Sequence, residues 1–429
     1  MQYHPAGKLA LLVGGGPAPG INGVISSVTI EAINYGMKVF GIQDGYRWLV
    51  QGDCSRVREL TIPDVSRIHL DGGSILGTSR TNPAKKPEDL ERVLECFRQL
   101  GITALVSIGG DDTAFSASQV YKKAGGALRV AHVPKTIDND LPLPGATPTF
   151  GFETARQLGV LMARNLYEDA KTTGRWYLCV SMGRAAGHLA LGIGKASAAT
   201  LTIIPEEFRG REAGLDEICD IILGSIIKRR SRNRTYGLVV LAEGLIETIG
   251  EKGFEAIGES LARYGKVDRD PHGHLRLGDI EFGRMVRDRL TVMAAELGMK
   301  MVIVDKDLGY ELRCADPIPF DAEYVRDLGF GAMKFLRSPA SANFGAVISF
   351  VGGRMQSLPF DTMINPATGR MLPRRVDVES ESYECARRYM IRLDRTDFDN
   401  ADNLAKLATV INMTPEQFKT RFGYLIGVC

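Results

Sequence analysis

The sequence lacks an excess of charge of either sign. Its 429 residues include 53 Lys and Arg against 51 Asp and Glu, which gives a formal net charge of +2. Nucleic acids and anionic membrane surfaces attract proteins that carry a marked basic excess. We therefore expect no nucleic-acid partner and no membrane partner, and any anion-binding site must be built locally.

Cysteines are few and their spacing excludes two common kinds of site. There are seven, an odd number, widely separated along the chain and without a CxxC pair. Zinc sites use closely spaced pairs, and disulfide scaffolds use dense, even sets. The pattern predicts neither a zinc site nor a disulfide framework. It fits a reducing compartment, so we expect a cytoplasmic location.

Long apolar runs, targeting signals and two nucleotide-binding motifs are also missing. No run reaches the roughly 18 apolar residues that a membrane-spanning helix needs, and the first ten residues do not resemble a secretory signal. No GxxxxGK[ST] motif and no correctly spaced GxGxxG motif occurs. These absences exclude a P-loop nucleotidase and a dinucleotide fingerprint.

Short apolar runs instead alternate with helical patterns. The predicted strands are residues 8–13, 37–42, 104–108, 129–133, 177–182, 201–205, 236–244, 301–304 and 344–350, with helices such as 87–100 and 151–170 between them. This alternation favours an α/β fold with largely parallel sheets. Residues 265–279 are polar and rich in Gly and Pro, which predicts a surface loop or insertion.

The first predicted strand runs into a glycine-rich corner, Gly14 to Gly20, that opens a helix. Glycines allow backbone N–H groups to approach a phosphate, and the start of a helix favours an anion. A tight turn without any ligand is about equally compatible with this corner.

A second corner places two glycines before Asp111, Asp112 and Thr113 at a predicted helix start. A carboxylate would repel a phosphate bound in the same loop. A Mg²⁺ ion between them removes the conflict, since Mg²⁺ prefers one or two carboxylates together with phosphate oxygens. The alternative is that either carboxylate only caps the helix.

A third corner, residues 132–145, presents Lys135, Thr136, Asp138 and Asp140 in a loop stiffened by prolines. Open α/β sheets bind ligands at the carboxyl ends of their strands. In an extended segment the two carboxylates would share one face. One of them could accept a hydroxyl proton while Lys135 and Thr136 hold a phosphate.

Eight segments together resemble the signature motifs of the phosphofructokinase A family. They are GGGPAPGIN, LGTSR, GGDDT, PKTIDND, GFETA, MGRAAGHLAL, LAEG and LGYELR, in the family's order, and residues 314–332 resemble its pyrophosphate-dependent branch. The resemblance implies two Rossmann-like three-layer α/β lobes with a cleft between them. It also implies reversible phosphorylation of the 1-hydroxyl of fructose 6-phosphate by pyrophosphate, in a homodimer or homotetramer.

The resemblance also suggests how the chain is divided. Residues 1–150 would form the lobe that binds pyrophosphate and Mg²⁺, completed by residues 314–350. Residues 151–313 would form the sugar-phosphate lobe, with an insertion near 250–280. Residues 351–429 carry no motif that implies chemistry and would form a C-terminal extension.

The family pattern assigns roles to individual positions. Asp138 would be the base, assisted by Thr136 and Arg184, and Asp111 would hold the magnesium ion. Gly15, Arg80, Thr113 and Lys135 would bind the donor, with Tyr46 at a donor-side tyrosine position. The residues expected at fructose 6-phosphate are Thr136, Ile137, Asp138, Arg175, Met182, Gly183, Arg184, Glu243, Tyr310 and Arg313, with Arg175 lent by a neighbouring subunit.

Two departures from the family's ATP-dependent enzymes concern the donor. Those enzymes usually read GGDGS and PGTIDND, whereas this chain has Asp112 and Lys135 at the positions of two of the glycines. A carboxylate at 112 would repel the α-phosphate of a nucleotide, and an ammonium at 135 could offset the charge of compact pyrophosphate. We therefore predict that Asp112 and Lys135 select pyrophosphate over ATP.

Three other functions remain to be weighed. An ATP-dependent phosphofructokinase differs from the pyrophosphate-dependent enzyme only in its phosphoryl donor. An NAD-kinase-like enzyme could share the GGD corner, but the PKTIDND and MGR segments argue against it. A non-catalytic sugar-phosphate sensor would be suggested by loss of Asp111 or Asp138, and both are present.

Overall fold

The computed structural model describes residues 7–208, 210–257, 263–265, 280–365 and 370–427. The chain forms two compact units, Met1–Ala155 with Tyr310–Arg374, and Arg156–Gly309 with Arg375–Cys429. Residues 351–429, which the sequence suggested as one extension, therefore contribute to both units. The loop predicted at 265–279 and most of the insertion near 250–280 lie outside the described residues.

The strands alternate with helices along the chain. In chain order the strands are β1 (Lys8–Val13), β2 (Lys38–Ile42), β3 (Val57–Leu60), β4 (Ile102–Gly109), β5 (Arg129–Pro134), β6 (Trp176–Ser181), β7 (Leu201–Ile203), β8 (Gly237–Ala242), β9 (Ile303–Leu308), β10 (Ala346–Val351), β11 (Arg354–Pro359), β12 (Ile364–Asn365) and β13 (Arg370–Met371). The helices are α1 (Ile21–Asn34), α2 (Ile62–Val65), α3 (Pro87–Leu100), α4 (Asp111–Ala124), α5 (Phe152–Thr173), α6 (His188–Ser197), α7 (Leu215–Arg230), α8 (Leu245–Ile257), α9 (Phe282–Glu296), α10 (Pro319–Arg337), α11 (Phe360–Met363), α12 (Glu381–Tyr389), α13 (Arg395–Asp399), α14 (Ala401–Val410) and α15 (Pro415–Phe422).

The first unit is built on a seven-stranded sheet in the order β11-β10-β5-β4-β1-β2-β3. The interior strands pair in parallel, and only the edge pairs β2–β3 and β10–β11 are antiparallel. In β1, Leu9 and Leu11 pack into one hydrophobic cluster with α1 and α10, while Ala10 and Leu12 pack into a second with α3 and α4. Burial on both faces explains why β1 reads as a continuous apolar run.

The second unit contains a four-stranded sheet, β7-β8-β6-β9, in which every pair is parallel. Helix α7 is buried along most of its length. Its last turn holds Lys228, whose ammonium donates to Asp394 at 2.9 Å and to Asp397 at 2.6 Å. This buried ion pair fastens the C-terminal part of the chain to α7.

The predicted α/β class with largely parallel sheets is confirmed. All nine predicted strands are present, with boundaries shifted by a few residues. Sequence analysis missed β3 and β11, the antiparallel edge strands, and the two-residue strands β12 and β13. Strand β3 reads VREL and strand β11, which is half-buried, reads RMQSLP, so neither edge strand presents the apolar run that marks an interior strand.

Two cysteines depart from the expectation of an entirely reduced set. Cys54 and Cys96 form a disulfide although 42 residues separate them. The fold brings their Cα atoms within 5.3 Å, which is the separation a disulfide requires. Spacing along the chain could not reveal this pair. Among the helices in the described ranges, none is long and apolar enough to cross a membrane.

Candidate active site

The three glycine corners meet at one edge of the seven-stranded sheet. They follow β1, β4 and β5, which are neighbouring parallel strands, so their carboxyl ends point the same way. The Gly14 amide donates to the Ile108 carbonyl at 2.9 Å, and the Lys135 amide donates to the Gly109 carbonyl at 2.8 Å. Parallel pairing therefore gathers segments that lie more than one hundred residues apart.

The first corner is held open by residues of the LGTSR segment. Gly15 has φ +82°, a left-handed conformation that favours glycine. Its amide donates to the Ser79 carbonyl at 3.0 Å, and its carbonyl accepts from the Thr78 hydroxyl at 2.7 Å. Sequence analysis assigned no role to these two residues. Their polar groups fix the path of the chain where a phosphate would approach.

Thr113 lies beneath this corner. It is only 5% exposed. A Cβ on Gly14 would lie 2.6 Å from its hydroxyl oxygen, and a Cβ on Gly109 would lie 2.3 Å from its Cβ. Both positions thus require glycine, because Thr113 packs closely against the backbone of the first and second corners.

A buried histidine supports the second corner. His132 Nε2 lies 3.0 Å from the Gly109 carbonyl, and Nδ1 lies 2.8 Å from the Ser107 hydroxyl. Burial lowers the pKa of His132 to about 3, so the ring is neutral. Nε2–H must then donate to the carbonyl while Nδ1 accepts from the hydroxyl. These two hydrogen bonds stabilise the end of β4, which precedes Asp111.

Asp111 and Asp112 occupy the first turn of α4, after Gly110 at the N-cap. Carboxylates are favoured there by the helix dipole, so both residues also stabilise the helix. The negative charge of Asp111 acts on both Lys135 and Asp140. In the described part of the chain, no group of three or more His, Cys, Asp or Glu side chains is placed to hold a metal alone.

Lys135 is 4% exposed, and its ammonium donates to the backbone carbonyl of Gly16. Burial, followed by the nearby Arg313 charge, lowers the pKa of Lys135 to about 8. The carboxylates of Asp138 and Asp111 oppose that shift. Lys135, a residue of the third corner, therefore places a cation at the first corner.

The third corner is a turn and not the extended segment that the sequence suggested. Asn139 has φ +57°, which reverses the chain between Asp138 and Asp140. The Asp138 amide donates to the Thr136 hydroxyl at 3.0 Å. Burial, then the charges of Asp138 and Asp111, raise the pKa of Asp140 to about 7, and a hydrogen bond with Thr136 opposes the shift. The turn brings the Asp138 carboxylate close enough for its charge to act on Asp140.

Two neighbouring side chains face away from this cluster. Ile137 is buried in the protein interior, so only its backbone is available to a ligand. Tyr46 is also buried, within the cluster that contains α3 and α4, and its hydroxyl has no hydrogen-bond partner among the residues that the structure describes. Burial also raises the pKa of the Tyr46 hydroxyl, so the side chain is neutral. Arg80 is exposed, and its charge acts on Lys135.

Arg313 lies with the donor-side groups of the first unit. A Cβ built on Gly16 would be 3.5 Å from its guanidinium carbon, and its charge lowers the pKa of Lys135. The guanidinium also lies 5.1 Å from the ring centroid of Tyr310, a cation–π contact. Tyr310 itself is 69% exposed. The sequence placed both residues at the sugar phosphate.

In the second unit, the ends of β6 and β8 bring another set together. The Gly183 amide donates to Glu243 Oε2 at 3.3 Å, and the Gly244 amide donates to the Gly183 carbonyl at 3.0 Å. Gly183 has φ +134°, and a Cβ there would lie 2.7 Å from the Ala186 carbonyl oxygen. Met182 and Arg184 flank Gly183 and are partly exposed. Four of the predicted sugar-binding residues therefore share one loop edge.

Arg175 lies at the other end of the same strand. Arg175 immediately precedes β6 and Met182 immediately follows β6. The six residues of the strand therefore separate Arg175 from Met182 by roughly 20 Å. Its Nε lies 3.8 Å from Asp169, which also accepts from the Tyr177 hydroxyl. Within one chain, Arg175 is thus not brought to the Gly183 and Glu243 loop.

The pattern of the family described as "Phosphofructokinase" matches residues 8–336. The chain belongs to the phosphofructokinase family. It is 52% identical over 419 residues to a pyrophosphate–fructose 6-phosphate 1-phosphotransferase of Thermotoga maritima, covering 98% of this chain and 99% of that one. It is 49% identical to a protein of the same name from Naegleria fowleri, covering 97% and 95%.

A solved member of the family has the same fold. The pyrophosphate-dependent phosphofructokinase of Marinobacter aquaeolei aligns with a TM-score of 0.62, covering 94% of this chain and 91% of that one. At 16% sequence identity this likeness concerns the fold alone.

Several residues that hold the candidate site together gave no clear signal in the sequence. Thr78 and His132 act through backbone carbonyls that the fold brings to them. Thr149 similarly donates its hydroxyl to the Thr136 carbonyl at 2.8 Å and its amide to the Asn139 side chain at 3.1 Å. Thr and His are common in loops, so only their tertiary contacts distinguish these residues.

Proposed function

We propose that this chain transfers a phosphoryl group from inorganic pyrophosphate to the 1-hydroxyl of fructose 6-phosphate, and catalyses the reverse step. The observation that carries the proposal is the cluster of Lys135, Asp138, Asp140 and Asp111 at the edge of three parallel strands. Two relatives that match nearly the whole chain are named for this reaction. The cluster supplies a buried cation for the donor and a carboxylate for the acceptor.

The donor end is cationic. Lys135 and Arg313 lie against the first corner, and the exposed Arg80 is close enough for its charge to affect Lys135. Pyrophosphate carries several negative charges in a compact volume, which suits three converging cations. Gly15 lets the backbone approach the phosphates, while Thr113 supports the corner. These groups would stabilise charge on the transferring phosphoryl.

Enzymes of this family generally use a divalent metal ion, and the donor set here fits Mg²⁺. Asp111 offers one carboxylate beside the corner, and phosphate oxygens would complete the ligand set that Mg²⁺ prefers. Bound there, the ion would neutralise phosphate charge. The remaining chemistry is assigned to side chains of this chain.

Asp138 is the proposed base. As the 1-oxygen of the sugar bonds to phosphorus, its proton passes to the Asp138 carboxylate, and the bond from phosphorus to the bridging oxygen breaks to release phosphate. Asp140, with its pKa raised to about 7, would be about half protonated at pH 7, which reduces the repulsion that opposes ionisation of Asp138. Thr136 hydrogen-bonds within this pair and would hold the transferring group with Arg184.

In the second unit, Met182, Gly183, Arg184 and Glu243 are proposed to bind the sugar phosphate. The same role is proposed in the first unit for Tyr310, Arg313 and the backbone of Ile137. Forked guanidinium groups suit a phosphate, and Glu243 can accept from sugar hydroxyls. Arg175 is proposed to serve the site of another subunit in a homodimer or homotetramer, since within its own chain it lies roughly 20 Å from the Gly183 loop.

Donor choice is assigned to Asp112 and Lys135. The buried ammonium of Lys135 fills space beside Gly15 and Gly16, and Asp112 adds negative charge next to Asp111. A nucleotide would have to place its α-phosphate near that charge. Pyrophosphate has no further phosphate and avoids the repulsion. A cytoplasmic location for the enzyme is proposed from its metabolite substrates.

A coupled assay tests the proposal. Fructose 1,6-bisphosphate formation is measured with Mg²⁺ and fructose 6-phosphate, using pyrophosphate or ATP in turn. We expect turnover with pyrophosphate and little or none with ATP. Turnover with ATP alone would establish the ATP-dependent alternative. Binding of fructose 6-phosphate without turnover of either donor would establish the sensor, and phosphorylation of NAD would establish the NAD-kinase alternative.

A further inference from the structure

A side chain from the end of the first unit contacts the third corner on both sides of its turn. Arg374 Nε and Nη2 donate to the Asn139 carbonyl at 3.2 and 3.0 Å, and Nη1 donates to the Thr147 carbonyl at 2.9 Å. Nη2 also donates to the Asn139 side-chain oxygen. The Arg374 amide donates to the Asp140 carbonyl at 2.6 Å. More than 220 residues separate Arg374 from the groups it holds.

The turn needs such support because its central residue is strained. Asn139 occupies the left-handed region at φ +57°, which non-glycine residues adopt only when their surroundings hold them there. Thr149 fixes the Asn139 side chain from within the loop. Arg374 adds donors for the Asn139 and Asp140 carbonyls. The backbone on either side of the two carboxylates is therefore tied to a segment outside the loop.

The guanidinium is well suited to this task. It carries five N–H donors in a rigid plane, so one side chain can bind several carbonyls in a fixed geometry. Arg374 is partly buried beside the turn, and its charge interacts with Asp140. A lysine could reach some of the same carbonyls but could not hold them in one plane.

We propose that Arg374 is a positioning residue for phosphoryl transfer, holding the turn of Asp138, Asn139 and Asp140 so that the Asp138 carboxylate faces the reacting hydroxyl. This inference rests on the proposed role of Asp138 as base. It gives the segment after β13, which no motif marks, a function in the reaction. The guanidinium acts through the loop backbone and not through contact with substrate.

The test compares Arg374→Met and Arg374→Lys with Arg375→Met, a matched control at the exposed neighbouring arginine. Misplacing a catalytic group by about 1 Å can cost about 100-fold in rate. We expect Arg374→Met to lower kcat about 10- to 100-fold in both directions of the reaction, with KM for pyrophosphate and fructose 6-phosphate within about threefold of wild type. Arg374→Lys should recover part of kcat, and Arg375→Met should match wild type.

Amide hydrogen exchange separates positioning from general stability. In Arg374→Met, exchange should rise in peptides covering residues 136–149 and stay unchanged in the second unit. Unchanged kcat would overturn the proposal, and so would an equal loss of protection throughout the chain. If Arg374→Met does not fold, Arg374→Lys alone decides, and a kcat equal to that of wild type overturns the proposal.

The outcomes remain distinct from those of the proposed function. A wild-type enzyme inactive with pyrophosphate would contradict the function itself. An active wild type with an active Asp138→Asn variant would contradict the base. Wild-type activity that is lost in Asp138→Asn but kept in Arg374→Met would contradict only the role of Arg374.

Discussion

The ammonium of Lys135 donates a hydrogen bond to the backbone carbonyl of Gly16. Gly16 follows β1 and Lys135 follows β5, so this bond joins the first and third corners across the end of β4. The cation is therefore held at the donor corner before any ligand arrives. A preorganised charge stabilises a transferring phosphoryl group without further rearrangement.

Removing the proposed base should abolish most activity. Asp138→Asn keeps the shape of the side chain but cannot accept the hydroxyl proton, and loss of a general base typically lowers rate by about 10²–10⁴-fold. Steady-state kinetics should show this fall in kcat. Asp361→Asn, an equivalent change at an exposed carboxylate paired with Lys122, should have no effect. A kcat for Asp138→Asn within a few-fold of wild type would exclude it as base.

Donor selectivity should shift when its two charged residues are removed. Two like charges about 4 Å apart at an effective dielectric near 20 repel by roughly 4 kcal/mol, and even half of that disfavours ATP more than tenfold. Asp112→Gly, alone or with Lys135→Gly, should therefore lower kcat/KM for pyrophosphate and raise relative use of ATP. Paired assays at equal donor concentrations measure the ratio. A wild-type preference for ATP would show that both residues are misassigned.

The pH dependence of kcat/KM for pyrophosphate should reflect the ionisation of Lys135. Since burial and Arg313 lower its pKa to about 8, the free enzyme loses this positive charge as pH rises through about 8. We expect kcat/KM for pyrophosphate to fall above that pH. Lys135→Met should have a lower kcat/KM and lose this alkaline limb, whereas Lys135→Arg should keep its charge and move the limb upward. If the alkaline fall in kcat/KM persists unchanged in Lys135→Met, it is caused by the titration of another group.

Ionisation of Asp140 should lower the free energy of unfolding at alkaline pH. Its folded pKa is raised to about 7, above its ordinary value, because burial and Asp138 disfavour the charged form. The folded state therefore binds this proton more tightly than the unfolded state, and stability falls as pH rises between those two values.

Asp140→Asn should accordingly raise Tm at pH 8 and have little effect at pH 4. A gain of about 1 kcal/mol corresponds to roughly 2–4 °C in a domain of this size. Calorimetry without ligands at both pH values checks the difference. An equal change at both would mean that the carboxylate's charge is not the cause.

A shared site predicts complementation between inactive chains. Mixing Arg175→Ala with Asp138→Asn should restore part of the activity, because a hybrid oligomer can assemble one complete site from two different subunits. Differently tagged chains allow hybrids to be purified and assayed. Each variant refolded alone serves as the control. Inactive hybrids would show that Arg175 serves its own chain or none.

The sequence by itself determined the α/β class, the interior strands and the three corners. Strands such as β1 and β4 are buried on both faces, so continuous apolar runs mark them, and glycines mark where they end. The motifs also located the family and predicted the chemically active positions, because reacting phosphates require particular side chains at particular spacings.

Only the tertiary structure decided which of those residues meet. It placed Arg313 against Gly16, buried Tyr46 and Thr113, and turned the chain at Asn139 where an extended segment was predicted. It also joined Cys54 to Cys96 and brought Arg374 to the catalytic turn. These relationships depend on contacts between residues far apart in the chain, and such contacts are fixed by strand order and packing, which local sequence patterns do not encode.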